Sequence, residues 1–199
     1  MSIIVLKVGG SLLSLPDLPE RLTGVITSFE SASPLLLIGG GPAADIVRSW
    51  QSTHRLDENT SHDLALQAMA LNAQLVAELL PATTLVADRG QAERAWRDGQ
   101  WGLLDANRFL STEEPHQSLS LPHTWQATSD AIAAWVTIAW PADRLVLFKS
   151  TDKPTPATPD TLAAAGLIDP CLATWSDQLP RVDWVNLRSA SPRATPWLS

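Results

Sequence analysis

Short apolar runs alternate along this chain with segments of helical periodicity. Strand candidates are residues 3–6, 35–38, 84–87, 145–148 and 182–187, and helix candidates are residues 18–29, 43–50, 61–80, 91–97 and 130–139. Uninterrupted apolar runs are typical of strands that a parallel sheet buries on both faces. The alternation predicts one doubly wound α/β domain over residues 1–199, in which residues 99–124 form short strands and loops.

The long helix candidate 61–80 has an unusually wide apolar surface. Its apolar residues recur at helical spacing, as Leu64, Ala68, Leu71, Leu75 and Leu79. Ser61 is the expected N-cap, because its hydroxyl can accept a hydrogen bond from the first helical turn. Such a wide apolar surface has to be buried inside the domain or against another subunit. We therefore expect a homodimer that forms through this helix.

Composition narrows the classes of partner. The formal charge is −7 and the pI is near 4.9, whereas nucleic acids and anionic membranes require a basic surface. The apolar runs are shorter than the ~20 residues of a membrane-spanning helix, and no signal segment is recognisable. The single cysteine, Cys171, cannot form an intrachain disulfide. A reducing, cytoplasmic location is therefore expected, with neither nucleic acid nor membrane as partner.

Two glycine-rich turns follow the first two strand candidates. The sequence KVGGS at residues 7–11 ends the first strand, and GGGP at residues 39–42 ends the second and opens a helix. Glycine lets backbone N–H groups approach an anion closely, and a helix N-terminus adds the positive end of its dipole. Each turn alone could equally be a plain connection between a strand and a helix, so the turns leave the question of a phosphate site open.

The distribution of lysine favours a phosphate site. The chain has three lysines, Lys7, Lys149 and Lys153, and all of them lie at predicted strand ends or in the adjoining loop. The carboxyl ends of parallel strands form the edge where open α/β sheets bind their ligands, and lysine supplies a mobile positive charge for phosphate oxygens. A buried ammonium at such a strand end requires an anionic neighbour, which Asp130, Asp152 or a bound phosphate would provide.

Four motifs, in this order, resemble the amino acid kinase family. They are KVGGS at residues 7–11, GGGP at 39–42, TSDAIAA at 128–134 and LFKSTD at 147–152, and together they span about three quarters of the chain. Within the family, residues 61–73 look most like the kinases of methanofuran-type cofactor synthesis. Weaker matches to the same kinases follow at residues 166–169 and 185–186.

The resemblance implies a three-layer αβα sandwich with a mainly parallel central sheet. It places an acceptor side at about residues 1–125 and an abbreviated nucleotide side at about residues 126–199. ATP would lie across the strand ends, and a small-molecule acceptor would lie at the glycine turns. Lys7 would contact the transferring phosphoryl group, Asp130 would orient the lysines, and Lys149 would match the second lysine that uridylate kinases place at this strand end.

The remaining site residues implied by the resemblance divide between the two ligands. Phosphate and acceptor contacts would come from Gly9, Gly10, Ser11, Gly39, Gly40, Gly41 and His62. Nucleotide contacts would come from Lys149, Ser150, Thr151, Asp152 and Lys153. Mg²⁺ would bridge the β- and γ-phosphates and would be held by the nucleotide and water, with no metal ligand from the protein. Phosphoryl transfer agrees with such a site, because it needs positioning and cations around the phosphate oxygens.

Several alternatives stay open at this level. His62 could equally be a helix residue satisfied by local backbone, and Asp130 could be an acid favoured by a helix dipole. The family's usual adenine-side loop is replaced by a loop rich in Pro and Thr at residues 151–159, and no strand is expected after Asn186. A non-catalytic nucleotide- or metabolite-binding subunit is therefore the alternative to an ATP-dependent kinase. A uridylate or acetylglutamate kinase proper is disfavoured for the same reason.

Overall fold

A computed structural model describes residues 2–29, 31–113 and 119–198. The strands in these ranges are β1 Ser2–Val8, β2 Ala32–Ile38, β3 Thr83–Val86, β4 Trp101–Leu104, β5 Arg144–Lys149, β6 Arg181–Asn186 and β7 Thr195–Leu198. The α-helices are α1 Leu18–Ile26, α2 Gly41–His54, α3 Glu58–Leu79, α4 Arg89–Arg97, α5 Ala106–Glu113, α6 Ser129–Ala139, α7 Pro159–Ala164 and α8 Pro170–Thr174. A short 3-10 helix, Gly10–Ser14, follows β1.

The strands form one sheet in the order β3-β4-β2-β1-β5-β6-β7. All neighbours pair in parallel except β6 and β7, which are antiparallel. The strands β2, β4 and β3 lie on one side of β1, and β5, β6 and β7, which come later in the chain, lie on the other side. The carboxyl ends of β1 and β5 therefore flank the point where the strand order reverses, which is where open α/β sheets bind their ligands.

Helices cover both faces of the sheet. One core cluster contains Ile3 and Val5 of β1 together with residues of α4, α5, α6 and α8. The other contains Ile4 and Leu6 of β1 together with residues of α1. The long helix α3 contributes Leu66 to the first cluster and residues near its end to the second. The predicted αβα sandwich with a mainly parallel sheet is thereby confirmed.

Strand alternation decides where two of the lysines lie. Side chains two residues apart share a face of a strand, so Lys7 follows Ile3 and Val5 onto the face that α6 covers. Lys149 follows Leu145 and Leu147 onto the same face of the neighbouring strand. Both lysines therefore reach the carboxyl edge of the sheet beside the start of α6.

The start of α3 differs from the sequence prediction. Asp57 is the N-cap, and its carboxylate accepts a hydrogen bond from the Thr60 backbone N–H. Ser61 lies inside the first turn, fully buried, and its hydroxyl donates to the Asp57 carbonyl. The prediction of Ser61 as N-cap was wrong because an aspartate four residues earlier has the same capping ability and begins the helix sooner.

Two further stretches differ from what the sequence suggests. Residues 99–124 were expected to form short strands and loops, but they contain α5 in addition to β4, and residues 114–118 lie outside the described residues. The strand β7 follows β6, although no strand was expected after Asn186. Among the helices that the structure describes, none combines the length and apolar character required to cross a bilayer.

Candidate active site

A buried carboxylate joins two of the three lysines. The Lys7 Nζ lies 2.8 Å from the Asp130 Oδ1, and the Lys149 Nζ lies 2.6 Å from the Asp130 Oδ2. Lys149 also donates to the Leu167 carbonyl at 2.7 Å. Lys7 is 5% exposed and Asp130 is 4% exposed. We refer to Lys7, Asp130 and Lys149 as the lysine clamp, in which two positive charges share one negative charge.

The charges of the clamp explain its pKa shifts. Burial alone would raise the pKa of Asp130, but the positive charges of Lys149 and Lys7 outweigh burial and lower that pKa to about 2. Burial lowers the pKa of Lys149; the charge of Asp130 opposes this shift, and the charge of Lys7 adds to it. The carboxylate is therefore ionised at neutral pH, and an additional anion beside the lysines would relieve their mutual repulsion.

Two polar residues that the sequence analysis did not select support the clamp and the glycine turns. The Asp169 carboxylate accepts hydrogen bonds from the backbone N–H groups of Thr128 and Ala131 at the start of α6. Asn72 on α3 is buried, and its side-chain amide donates to the carbonyls of Gly39 and Gly40, both at 2.8 Å. Neither residue carries a local motif, because each acts on a segment more than thirty positions away in sequence.

The two glycine turns touch each other. A Cβ on Gly10 would lie 2.2 Å from the Gly41 nitrogen, so only glycine permits this approach. The N–H groups of Gly10, Gly40 and Gly41 make no hydrogen bond within the part of the chain that the structure describes. These three groups remain available for an anion.

Not every glycine that the sequence suggested as an amide donor is available. The Gly9 N–H donates to the Phe148 carbonyl at 3.0 Å, and the Gly39 N–H donates to the Val8 carbonyl at 2.9 Å. Both groups extend the hydrogen bonding of the sheet past the ends of the strands. These two N–H groups therefore already have backbone partners, and the phosphate or acceptor contacts expected of Gly9 and Gly39 stay predictions.

The clamp opens into a cleft of about 620 Å³ at the carboxyl edge of the sheet. Among the suggested site residues, the cleft is lined by Lys7, Gly9, Gly10, Ser11, Asp130, Lys149, Ser150 and Thr151. Its far wall is the segment 166–170. Asp152 and Lys153 are absent from the lining, and the Asp152 carboxylate instead accepts a hydrogen bond from Asn186 at 2.9 Å. Three of the five suggested nucleotide residues therefore line the cleft, and two do not.

A smaller pocket of about 120 Å³ adjoins the cleft. Gly40, Gly41 and His62 line it, and the ring of His62 stacks on that of His123 with a centroid distance of 4.6 Å. Gly39 lines neither cavity. The small pocket and the cleft share the side chains of Arg48 and Trp125, whose guanidinium and indole ring lie 4.4 Å apart.

An αβα sandwich with a lysine clamp and two touching glycine turns at its switch point defines a kinase-like α/β protein. The chain belongs to the amino acid kinase family, whose sequence pattern matches residues 2–153. The family resemblance of the four motifs is thereby confirmed. Among curated proteins, none matches the chain in sequence.

Solved structures with the same fold belong to several kinases. Uridylate kinase from Archaeoglobus fulgidus is 17% identical, with a TM-score of 0.63 over 97% of this chain and 98% of that chain. Aspartate kinase from Synechocystis is 14% identical, with a TM-score of 0.66 over 100% of this chain and 41% of that chain. Isopentenyl phosphate kinase from T. acidophilum is 12% identical, with a TM-score of 0.56 over 94% of this chain and 92% of that chain. At these identities the likeness is one of fold.

We expect the Asp130→Asn substitution to destabilise the fold by about 3 kcal/mol at neutral pH, because it leaves the buried ammonium of Lys7 and the partly buried ammonium of Lys149 without their carboxylate. The folded-state pKa of about 2 lies below the ordinary value of 3.8, so ionised Asp130 contributes about 2 kcal/mol above pH 4. This contribution is lost as the pH falls from about 4 through 2. Urea unfolding at several pH values should show the difference between wild type and variant narrowing in that window. A difference independent of pH would contradict the assignment.

The contact between the turns is tested by Gly10→Ala. A methyl group there would collide with the backbone of Gly41, and we expect a loss of roughly 1–3 kcal/mol in the free energy of unfolding. Gly24→Ala in α1 is the matched control, because a Cβ at Gly24 meets no atom within 4 Å and alanine favours a helix over glycine by about 0.5–1 kcal/mol. Chemical denaturation should therefore shift in opposite directions for the two variants.

Proposed function

We propose that this protein is an ATP-dependent kinase of a small molecule. One observation carries the proposal: the ammonium groups of Lys7 and Lys149 meet on one buried carboxylate in the wall of a cleft of about 620 Å³, and this cleft shares Arg48, Trp125 and Thr128 with a smaller pocket. The two ammonium groups give the wall of the cleft two cations for phosphate oxygens, beside the carboxyl groups of Asp130 and Asp169. A transferring phosphoryl group needs such cations, because negative charge spreads over its oxygens in the transition state.

The residues of the cleft suit ATP. Bound ATP would supply the phosphoryl group, and Mg²⁺ would be held by its phosphates and by water. No group of three or more His, Cys, Asp or Glu side chains in the described ranges is arranged to hold a metal. Lys7 would hold the transferring group, and Lys149 would hold the phosphates on the nucleotide side. The free N–H groups of Gly10, Gly40 and Gly41 would orient the phosphoryl oxygens, while Asp130 keeps both ammonium groups in place.

The acceptor would enter the small pocket. Its volume of about 120 Å³ suits a compact molecule, and its walls combine apolar side chains with Asp45, Arg48, Glu58 and His62. A small ring that carries an amine and an alcohol or phosphomonoester would match these charges. The proposal therefore includes an acceptor from the synthesis of a methanofuran-type one-carbon carrier, for which the resemblance of residues 61–73 is the support.

The alternative is a non-catalytic subunit that binds a nucleotide or metabolite. Two features favour it: the connection between β5 and β6 contains two short helices, α7 and α8, of six and five residues, and two of the five suggested nucleotide residues, Asp152 and Lys153, do not line the cleft. Retention of the complete lysine clamp favours the enzyme, because ligand binding alone does not require two buried ammonium groups around the reacting phosphate.

The kinase activity is tested by ADP release from Mg-ATP with a panel of acceptors, including an aminomethylfuran alcohol and its phosphate. We expect Lys7→Ala and Lys149→Ala to reduce kcat on the order of 10²–10³-fold, since each removes a cation from the reacting phosphates. Lys153→Ala is the matched control, because Lys153 lies outside the cleft lining, and its kcat should stay within about twofold of wild type.

The outcomes separate the two functions. Acceptor-dependent turnover that is lost in the two clamp variants and retained in Lys153→Ala supports the kinase. Nucleotide binding by calorimetry without turnover for any acceptor supports the non-catalytic subunit. If the wild-type protein neither binds nor turns over ATP, the kinase and a subunit that binds ATP both fail.

We also infer that the protein forms a homodimer through α3 and the neighbouring edge strand β3. Leu71 is 60% exposed and Leu75 is 46% exposed. Both line a groove together with Leu85 of β3. Leu71, Leu75 and Leu79 recur every four residues, so a second copy related by a two-fold axis would place the same apolar stripe against this one. Two copies would thereby remove both stripes from water.

The dimer is tested by light scattering at micromolar concentration. We expect wild type to have twice the chain mass of 21.5 kDa, and Leu75→Lys to shift toward the monomer, because it places a charge in the apolar interface. Ile46→Lys is the control: Ile46 of α2 is 51% exposed but lies outside the groove. A monomeric wild type, or dissociation by both variants alike, would contradict the interface.

A further inference from the structure

Asp169 uses its carboxylate in an unusual way. It occupies the N-cap position of α8, where an aspartate ordinarily accepts hydrogen bonds from the first turn of its own helix. Its side chain makes no such bond. Instead, the carboxylate accepts from the Thr128 N–H at 2.9 Å, the Thr128 hydroxyl at 2.7 Å and the Ala131 N–H at 2.8 Å. Asp169 therefore caps α6 rather than α8.

The N-cap residue of α6 does not cap its own helix. Thr128 holds the N-cap position of α6, but its hydroxyl makes no capping bond to its own helix and donates to Asp169 instead. One orphan N–H group of the first turn, that of Ala131, thus depends on a residue from a distant segment. Asp130, the carboxylate of the lysine clamp, lies in that first turn. Asp169 therefore holds the turn that carries Asp130.

The segment that carries Asp169 also holds Lys149. The Leu167 carbonyl, two residues before Asp169, accepts a hydrogen bond from the Lys149 Nζ at 2.7 Å. One short segment, residues 166–170, therefore positions both the acid and one cation of the clamp, and the same segment forms a wall of the cleft. Thr128, the partner of Asp169, lines both the cleft and the small pocket.

Asp169 has an electrostatic cost as well as a structural role. It is only 9% exposed, and burial together with the charge of Asp130 raises the pKa of its carboxyl. Its negative charge also works against the lowering of the Lys149 pKa. An apolar residue at this position would avoid the cost of burying a second carboxylate beside Asp130. The hydrogen bonds that Asp169 accepts from the start of α6 therefore account for the presence of a carboxylate here.

We propose that Asp169 is a positioning residue, which holds Asp130 between Lys7 and Lys149 through its cap on α6 and links the wall of the cleft to the clamp. The proposal rests on the proposed function for its catalytic meaning, but the positioning itself is a property of the protein without ligands. Asp169 performs this role through the position of its two oxygen atoms, which accept hydrogen bonds, and not through its negative charge. Asparagine at this position can accept the two N–H groups with its carbonyl and pair its amide with the Thr128 hydroxyl.

The small number of lysines provides a direct test. Labelling with ¹³Cε-lysine gives three NMR signals, one for each lysine of the chain. In Asp169→Ala, we expect the signals of Lys7 and Lys149 to move toward that of Lys153, because the clamp loosens, while Asp169→Asn keeps them near their wild-type positions. By calorimetry, the affinity for Mg-ATP should fall about tenfold or more in Asp169→Ala and stay within about threefold in Asp169→Asn.

Asp88→Ala is the matched control. Asp88 caps α4, and its carboxylate accepts hydrogen bonds from the backbone and side chain of Gln91. The Asp88→Ala substitution removes a helix cap that contributes a similar stability, about 1 kcal/mol. Because this cap lies away from the cleft, the lysine signals should not move. Should Asp169→Ala fail to fold, Thr128→Val removes one of the three bonds and should shift the two clamp signals by a smaller amount in the same direction.

Three results would overturn the proposal. Unchanged signals for Lys7 and Lys149 in Asp169→Ala or in Thr128→Val would make Asp169 a helix cap and nothing more. If Asp169→Asn and Asp169→Ala moved the lysine signals and lowered the affinity for Mg-ATP equally, the effect would come from the negative charge of Asp169. Movement of the same signals in Asp88→Ala would assign it to general destabilisation. If wild type does not bind Mg-ATP, the proposed function fails, whereas the lysine signals still decide whether Asp169 positions the clamp.

Discussion

The shared carboxylate of Asp130 is the interaction on which this site depends. A buried ammonium without a partner costs several kcal/mol, and the chain brings buried Lys7 and partly buried Lys149 to neighbouring strand ends. A single carboxylate holds both lysines close together, and Asp169, which lines the same cleft, is a second acid beside them. The two ammonium groups are a local feature of a protein whose formal charge is −7. The whole-molecule field therefore does not attract a phosphate, and the affinity for one has to come from the clamp and the nearby N–H groups.

The fold makes this arrangement possible through two regularities of parallel sheets. The reversal of strand order puts the carboxyl ends of β1 and β5 side by side, and the two-residue period of each strand turns Lys7 and Lys149 to the same face. Helix α6 then crosses that face and brings Asp130 in its first turn to the lysines. The glycine turn after β2 completes the edge, because its backbone contacts the turn after β1.

Local sequence patterns were sufficient for the parts of the site that depend on a strand end or a turn. The apolar runs located five of the strands, and the rarity of lysine indicated where two strand ends carry charge. Asn72 and Asp169 could not be found in this way, since each side chain acts on backbone groups of a distant segment and has no characteristic neighbours in sequence. The same reason explains the missed strand β7, which is short, contains a proline and is stabilised by its pairing with β6. Ser61 was misassigned because Asp57, four residues earlier, has the same ability to cap the helix.

The short nucleotide side is compatible with a working cleft because its loop is held by hydrogen bonds. The Trp184 indole N–H donates to the Thr151 carbonyl at 2.8 Å, and the Trp197 indole N–H donates to the Ala157 carbonyl at 2.7 Å. Both tryptophans come from the last two strands, and their rings pack edge to face. The strand β7 thus has a role beyond extending the sheet: it supplies the ring that anchors the loop after β5. The loop after β5 is thereby tied to the end of the sheet on both sides, next to Ser150 and Thr151, which line the cleft.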